Sequence, residues 1–514
     1  MNKKNLFIVN GYELDNEQKT VVKDKSQNLL VIASAGSGKS LTIVGKIKYL
    51  IETHNIKQSE ILCISFTNDS CRSLENSIFR NGYEVKVLTF HKLALNILKL
   101  HKISFSIASE DLLEYITDEY FETIILNEPY YMYITLKLLK IRHKINDISK
   151  YYNKNKSSKE LKSLKKQITK FIHLYKSNAY KNYYLEKIYY KEKNKILNKK
   201  THLFILLCIK ILVEYNKELN SQNKVDFDDM ISMSTNILKT STKKLNFKYI
   251  FIDEFQDTSK LRFNLIKEII NKTNAKLIAV GDDYQSIYRF SGCDLSLFIN
   301  FNKTIKKSKT LKIQTTYRNS KELSLVSTDF VKKNPMQIKK QIMSSKESYK
   351  PIKIIYYENQ HKTFIQLLKY LYKSNEHKIL ILGRNNNEIY KVINQDFEIK
   401  KDGEITYKKI PELKIRYLTV HKSKGLEEET VIVLSLENNN WSFPNKTQDL
   451  KVFNHVLSKQ EKYPYAEERR LFYVALTRTK NEVYLLTNKN NPSIFVREIL
   501  KESKKHIEIR DLQN

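Results

Sequence analysis

Short apolar runs, each closed by a polar or glycine residue, recur in two stretches of this chain. Asn28–Ile32, Ile61–Phe66, Tyr249–Ile252 and Leu277–Val280 make the first set; Ile379–Leu382, Ile415–Val420, Val431–Leu434 and Val483–Leu486 make the second. They are too short for ordinary helices and continuous rather than alternating, which is the pattern of strands buried on both faces. Helix-length segments separate them. This alternation predicts an α/β fold with parallel sheets, in which ligands bind beyond the carboxyl ends of the strands.

From about residue 97 to 224 the strand signal stops and helical periodicity replaces it. The segment is rich in Lys and Tyr, as in YKSNAYKNYYLEKIYYKEKNK over 175–195. The expected organisation is a first α/β domain over 1–96 and 225–300, a helical insertion over 97–224, and a second α/β domain over 301–514. The Lys/Tyr mixture suits a surface that offers cations to phosphates and rings to bases. A solvated helical face whose tyrosines pack inward is the plainer reading. No repeat or long Pro/Gly linker separates these parts, so they are expected to abut.

Composition adds a partner class. Apolar residues, 41% of the chain, suffice for packed interiors, while 90 Lys+Arg against 56 Asp+Glu leave a net charge of +34. Such an excess suits a polyanion, because bound Lys and Arg displace the counterions condensed on a phosphate backbone. A Lys-, Asn- and Ile-rich composition with mostly solvated charge accounts for the same excess. The cysteines, Cys63, Cys71, Cys208 and Cys293, form no close cluster, which argues against a metal site or a disulfide framework. Leu203–Val213, the longest apolar stretch, contains Lys210 and is too short to span a bilayer. Leu6–Val9 is far shorter than a signal peptide. A soluble, cytoplasmic protein without a membrane partner is expected.

Two motifs carry the chemistry. ASAGSGKS (33–40) follows the strand-like LLVI. There the backbone N–H groups of Ala35, Gly36, Ser37 and Gly38 would cradle phosphates, Lys39 would reach the β- and γ-phosphates of ATP, and the Ser40 hydroxyl would bind Mg²⁺. FIDEFQDTS (251–259) ends another apolar run. Adjacent acids at a strand's end suit Asp253 to hold the Mg²⁺ shell and Glu254 to polarise the attacking water.

With these two in place, the chain resembles the UvrD, Rep and PcrA branch of superfamily 1 DNA helicases, and the motifs arrive in that family's order. Gln18 in LDNEQKTVV lies 21 residues before Lys39, where the family reads adenine. ISFTNDS (64–70) resembles motif Ia and LTFHKLA (88–94) motif Ib, and DFDD (226–229) recurs upstream of the acidic pair. VGDDYQSIYRFSG (280–292), TTYRNS (315–320), TVHKSKGLE (419–427) and EERRLFYVALTRTK (467–480) resemble motifs III, IV, V and VI. The resemblance runs from about residue 14 to 487. It implies two RecA-like parallel-sheet P-loop domains, the first carrying the helical insertion, and an ATP-dependent motor on single-stranded and duplex DNA with 3′→5′ polarity. It also implies roles. Arg318 and Arg478, from the second half, would act on the γ-phosphate as arginine fingers supplied in cis. Gln285 would sense that phosphate, Tyr317 would stack on adenine, and Glu427 would accept a ribose hydroxyl. Phe66, Tyr288 and Phe290 would stack on bases, and Thr89, His91 and His421 would contact the strand's backbone. Base stacking tolerates any sequence, so little sequence preference is expected.

The chain departs from the family in several places. Leu41 stands where an Arg usually covers adenine, Ser291 where motif III often has Arg, Phe290 where Trp is frequent, and Thr316 where Asn precedes the Tyr-Arg pair. Between Gly383-Arg384-Asn385 and motif V, relatives insert a helical subdomain; here only about thirty residues, near 386–416, fill that interval. The chain also ends soon after motif VI, so no fused nuclease domain is expected. Compact helicases of this kind resemble the helicase partner of the Gabija antiphage system. That implies a second reading: an ATP-gated DNA-binding subunit that regulates a separate nuclease in antiviral defence, rather than a motor of DNA repair.

Overall fold

The computed structural model describes residues 6–141, 147–180, 183–195, 200–459 and 461–512. The apolar runs become the strands of two sheets. The first sheet has six strands, all parallel, in the spatial order Ser308–Ile313, Asn28–Ala33, Lys276–Gly281, Tyr249–Ile252, Ile61–Ile64, Val87–Leu88. Asn28–Ala33 is buried at every position, because helices cover both faces of the sheet. The second sheet has eight strands, in the order Phe397–Ile399, Glu404–Tyr407, Lys414–Thr419, Lys378–Gly383, Glu428–Val433, Thr479–Asn488, Ile352–Tyr357, Ile507–Ile509. The first pairs antiparallel with the second and the second antiparallel with the third; every other neighbouring pair is parallel. Two RecA-like α/β domains result.

Two expected boundaries move. The chain does not leave the first sheet at residue 300, because Ser308–Ile313 pairs with Asn28–Ala33 along its whole length. This is an edge strand of sequence SKTLKI, only one of whose residues is fully buried, so it carries no apolar run to reveal it. Nor does the insertion begin at 97. The helix Phe90–Leu100 packs Leu93, Ala94, Ile97 and Leu98 into the first domain's core. The neck lies further on, where Ser106–Ile107 pairs with Lys224–Val225.

Beyond that neck the helices Leu112–Glu122, Pro129–Leu138, Ile148–Asn155, Lys159–Ser177, Tyr184–Lys193 and Thr201–Ser221 enclose their own core around Phe121, Phe171, Leu207 and Ile211. The tyrosines divide. Tyr175 is buried, Tyr180 and Tyr184 stack at 3.9 Å, and Tyr183 and Tyr190 face solvent. In the second domain the short interval after Asn385 forms a 3₁₀ turn, Asn386–Lys391, and then the hairpin Phe397–Ile399/Glu404–Tyr407. That hairpin extends the sheet's edge. Among the described residues no helix is long and apolar enough to cross a membrane, and all four cysteines are buried thiols.

Candidate active site

The carboxyl ends of the first sheet face a cleft whose other wall carries Glu427 and Arg478, each just before a strand of the second sheet, and its chemistry starts at one loop. After Asn28–Ala33 the chain turns through Gly36 and Gly38, at φ +72° and +75°, into the helix Lys39–His54. A Cβ on Gly36 would lie 2.5 Å from Arg318 Cβ, and one on Gly38 would lie 2.7 Å from Gln18 Nε2. Both positions demand glycine for space as well as conformation. No side chain caps this helix, so its first N–H groups are left for an anion. Ser40 is exposed on the first turn.

Gln18 is buried behind the loop. Its Nε2 donates to Ser37 O at 3.0 Å and its Oε1 accepts from Asp15 N at 2.9 Å. Only the second N–H of that amide remains for a base. Tyr317, 56% exposed, stands over the same corner: its N–H donates to Gly36 O at 2.9 Å and its hydroxyl to Asp15 at 2.6 Å.

The acidic pair closes the strand Tyr249–Ile252. Glu254 sits in the left-handed region at φ +52°, a conformation that costs a non-glycine residue energy and marks a constrained site. Its carboxylate lies 3.3 Å from Lys39 Nζ and 3.5 Å from Lys424 Nζ. Burial pushes the Glu254 carboxyl up, but Lys39 and Lys424 overcome it and hold it well below the usual carboxylate range. Asp253 goes the other way: burial, then the Glu254 charge, raise it. Gln256, buried beside them, donates to Glu254 and accepts from Asp282 N at 2.9 Å. It thereby ties the acid to the 280–292 segment.

The second domain supplies cations. Arg318 Nε reaches Glu427 at 2.5 Å, and its Nη1 donates to Thr477 O at 3.2 Å. Arg478 is 1% exposed. It donates to Val474 O at 3.1 Å, Leu426 O at 3.2 Å and Gln285 Oε1 at 3.3 Å, with no carboxylate partner among the described residues. Burial and the neighbouring Arg318 push its pKa down to about 9. A buried guanidinium without a counter-anion is costly and is a candidate to receive one. Glu427 also lies 3.3 Å from Lys480.

Two groups here escape a residue-by-residue reading of the sequence. Lys424 donates to Asp257 at 2.5 Å and to Gln285 O at 2.8 Å; its place inside TVHKSKGLE was the available signal. Lys340 is wholly buried between Asp282 and Asp283 and covers the Tyr284 ring at 3.7 Å. It comes from the unremarkable QIKKQ, and nothing local announces it.

A second row of side chains crosses between the domains. Phe66 and Tyr288 stack at 5.7 Å, Tyr288 and Phe290 lie 6.0 Å apart, and Phe290 meets His421 edge-on at 5.3 Å. Tyr288 OH donates to His421 O at 2.8 Å. Arg262 covers Phe66 at 4.7 Å and lies 5.9 Å from the Phe90 ring. Thr89 caps the helix Phe90–Leu100 through Lys92 N, and His91 packs on Phe227 at 4.9 Å. Phe290 is 47% exposed, the most open ring of the row. Burial, reinforced by Arg262 at His91 and by Arg384 at His421, pushes both imidazoles down to about 4.

Two RecA-like domains that oppose a phosphate-cradling loop to arginines from the other side define a helicase-type P-loop enzyme. Residues 14–306 match the UvrD/REP helicase N-terminal domain, and the chain belongs to that family, the UvrD/Rep/PcrA type of superfamily 1 DNA helicases. It is 28% identical over 509 residues to DNA helicase IV of Escherichia coli (strain K12), an alignment covering 96% of this chain and 71% of that protein. It is 28% identical over 414 residues to the probable DNA helicase II homolog of Mycoplasma capricolum, covering 77% and 51%. It is 26% identical over 330 residues to the ATP-dependent DNA helicase PcrA of Staphylococcus epidermidis, covering 62% and 40%. The chain thus spans about half or less of the last two relatives.

Proposed function

We propose that this protein is a DNA-stimulated ATPase that steps along single-stranded DNA, 3′→5′, and separates duplex ahead of it. The observation that carries this reading is Arg478: a fully buried cation from the second domain, without a carboxylate, beside Gln285 and across from the loop that ends at Lys39. A triphosphate on that loop gives Arg478 its missing anion, competes with Glu427 for Arg318, and draws the domains together. Loss of the γ-phosphate lets them part. Arg318 exchanges Glu427 for phosphate, and Glu427 turns to the ribose. Tyr317 covers the base, and Gln18 offers it the remaining amide N–H.

Asp253 and Ser40 suit Mg²⁺, a cation that takes few protein ligands and completes its shell from phosphate and water. Consistent with so sparse a protein shell, no cluster of three or more metal-ligating side chains occurs among the described residues. Magnesium would neutralise charge on the phosphates. Glu254, held ionised by Lys39 and Lys424, takes the proton of the attacking water.

The strand runs along Phe66, Tyr288, Phe290 and His421, with Thr89 and His91 on its backbone. Turnover is expected to rise when oligo-dT is added; a rate indifferent to single strands overturns the proposal. The hairpin in place of a helical subdomain favours a second reading, in which the chain gates a separate nuclease and unwinds little alone. A strand-displacement assay on a 3′-tailed duplex with the isolated chain decides between them.

A further inference from the structure

One loop of the second domain leaves its own sheet. Between the strand Glu428–Val433 and the helix Ala466–Leu476, residues 446–458 reach across to the helical insertion. Val452, Phe453, Val456 and Leu457 are buried in the insertion's core, with Phe453 and Phe171 ring centroids 6.0 Å apart. Polar contacts fix the crossing. Asn178 Nδ2 donates to Val456 O at 2.8 Å, Tyr184 OH donates to His455 O at 2.8 Å, and Asp449 lies 3.4 Å from Lys170 and 3.2 Å from Arg289. Each fully buried apolar side chain of this size contributes about 1.5–3 kcal/mol, so the docking is a specific contact between subdomains.

Beneath this strap lies a cleft of about 1170 Å³. Phe290 and His421 line it, and so do Thr447 and Asp449 of the strap. Of its acids, Asp449 pairs with Lys170 and Arg289, Glu468 with Arg384 and Glu461 with Arg470, while Glu467 accepts from Arg289 N at 3.1 Å. Lys422 and Lys462 form no ion pair among the described residues and are left for phosphates. The strap thus joins the second domain to the insertion along one side of this cleft, and it is tied to the first domain too: Arg289 donates to Ser458 O at 3.1 and 3.2 Å, and Ser458 Oγ donates to Cys293 O at 3.3 Å.

We infer that the docked strap encloses the DNA strand and makes the enzyme specific for single strands with a free end, which enter by threading. The inference rests on the strand-track reading above. A strand without ends reaches Phe290 only when the strap releases both the insertion and the loop that carries Arg289.

The test locks the strap. The full chain carrying Tyr184→Cys and His455→Cys is bridged with a short bis-thiosulfonate reagent, to which the four buried native thiols are shielded. ATP turnover is then read with linear oligo-dT and with covalently closed circular oligo-dT, before bridging, after bridging, and after reduction. The bridged protein is expected to keep its stimulation by the linear strand and to fall to the DNA-free rate with the circle, with reduction restoring the unbridged behaviour. Equal stimulation of the bridged protein by both DNAs overturns the inference. So does loss of both that reduction restores, since the strap would then block the path rather than surround it. If even the unbridged protein responds to neither DNA, the strand track itself is refuted. An undocked variant, Phe453→Ser with Val456→Ser, is expected to respond equally to line and circle; a persistent preference for the linear strand counts against the strap.

Discussion

The nucleotide cleft and the aromatic row share walls yet are built on opposite terms. In the cleft, charged groups are buried and held by one another: Lys39, Lys424, Glu254 and Asp257 interlock, and Arg478 has no carboxylate partner among the described residues. Along the row, rings stack on rings, and Phe290 stays nearly half exposed. The cleft suits a reaction in which charge must be placed in a water-poor setting. The row suits a ligand that must be held and released repeatedly without regard to sequence. Damage in the cleft should therefore stop chemistry, whereas damage along the row should loosen grip.

The largest effect is expected from Lys39→Ala, which should cut ATP turnover by roughly 10³-fold with or without DNA while leaving the melting temperature near wild type. Normal hydrolysis by that variant would misplace the cleft altogether. Arg478→Ala should lower kcat by about 10³-fold, the scale of an arginine finger. Arg478→Met should melt no lower than wild type, because it removes a buried cation that has no acid; a large loss of stability would make Arg478 a structural residue. Phe290→Ala sharpens the contrast. It should weaken oligo-dT binding by about 1–3 kcal/mol, seen as a raised DNA concentration for half-stimulation, with the DNA-free ATPase rate unchanged.

The smallest effect concerns pH. His91 and His421 titrate near 4 in the folded chain against an ordinary value of 6.5. Between those limits the unfolded chain binds protons that the folded chain refuses. Their contribution to stability is thus present above about pH 6.5 and lost as pH falls toward 4. His91→Gln should flatten part of that slope in denaturant melts; an unchanged slope would place its imidazole in water.

The same contrast explains what was legible beforehand. The cleft's loop and acidic pair are local: each is a few consecutive residues behind an apolar run, and strands such as Tyr249–Ile252 stand where the pattern put them. Edge strands were not legible. SKTLKI pairs on one side only and keeps polar residues, and Val87–Leu88 is too short to show a pattern. The row could be proposed only through the resemblance, since its rings come from residues far apart in the chain. Lys340 had no signal at all, because a buried lysine is made by two aspartates that sequence distance hides. Gln18 shows the limit of carrying a role across: it stands behind the phosphate loop, and most of its amide braces that loop.

That lysine has one more bearing, on how the chain crosses between the two lobes. Lys340 follows the second domain's helix Lys321–Val331, but its segment returns to the first domain: Lys312 Nζ donates to Lys339 O at 2.8 Å, Met343 bridges Thr315, and Ile338 packs on the first domain's core. This sets Lys340 beside Asp282 and Asp283, after the strand Lys276–Gly281. Prising the three apart would strand naked charges where water cannot reach them, at a cost of several kcal/mol each. The crossing peptide is in effect riveted to the first lobe before it returns to its own sheet at Ile352–Tyr357.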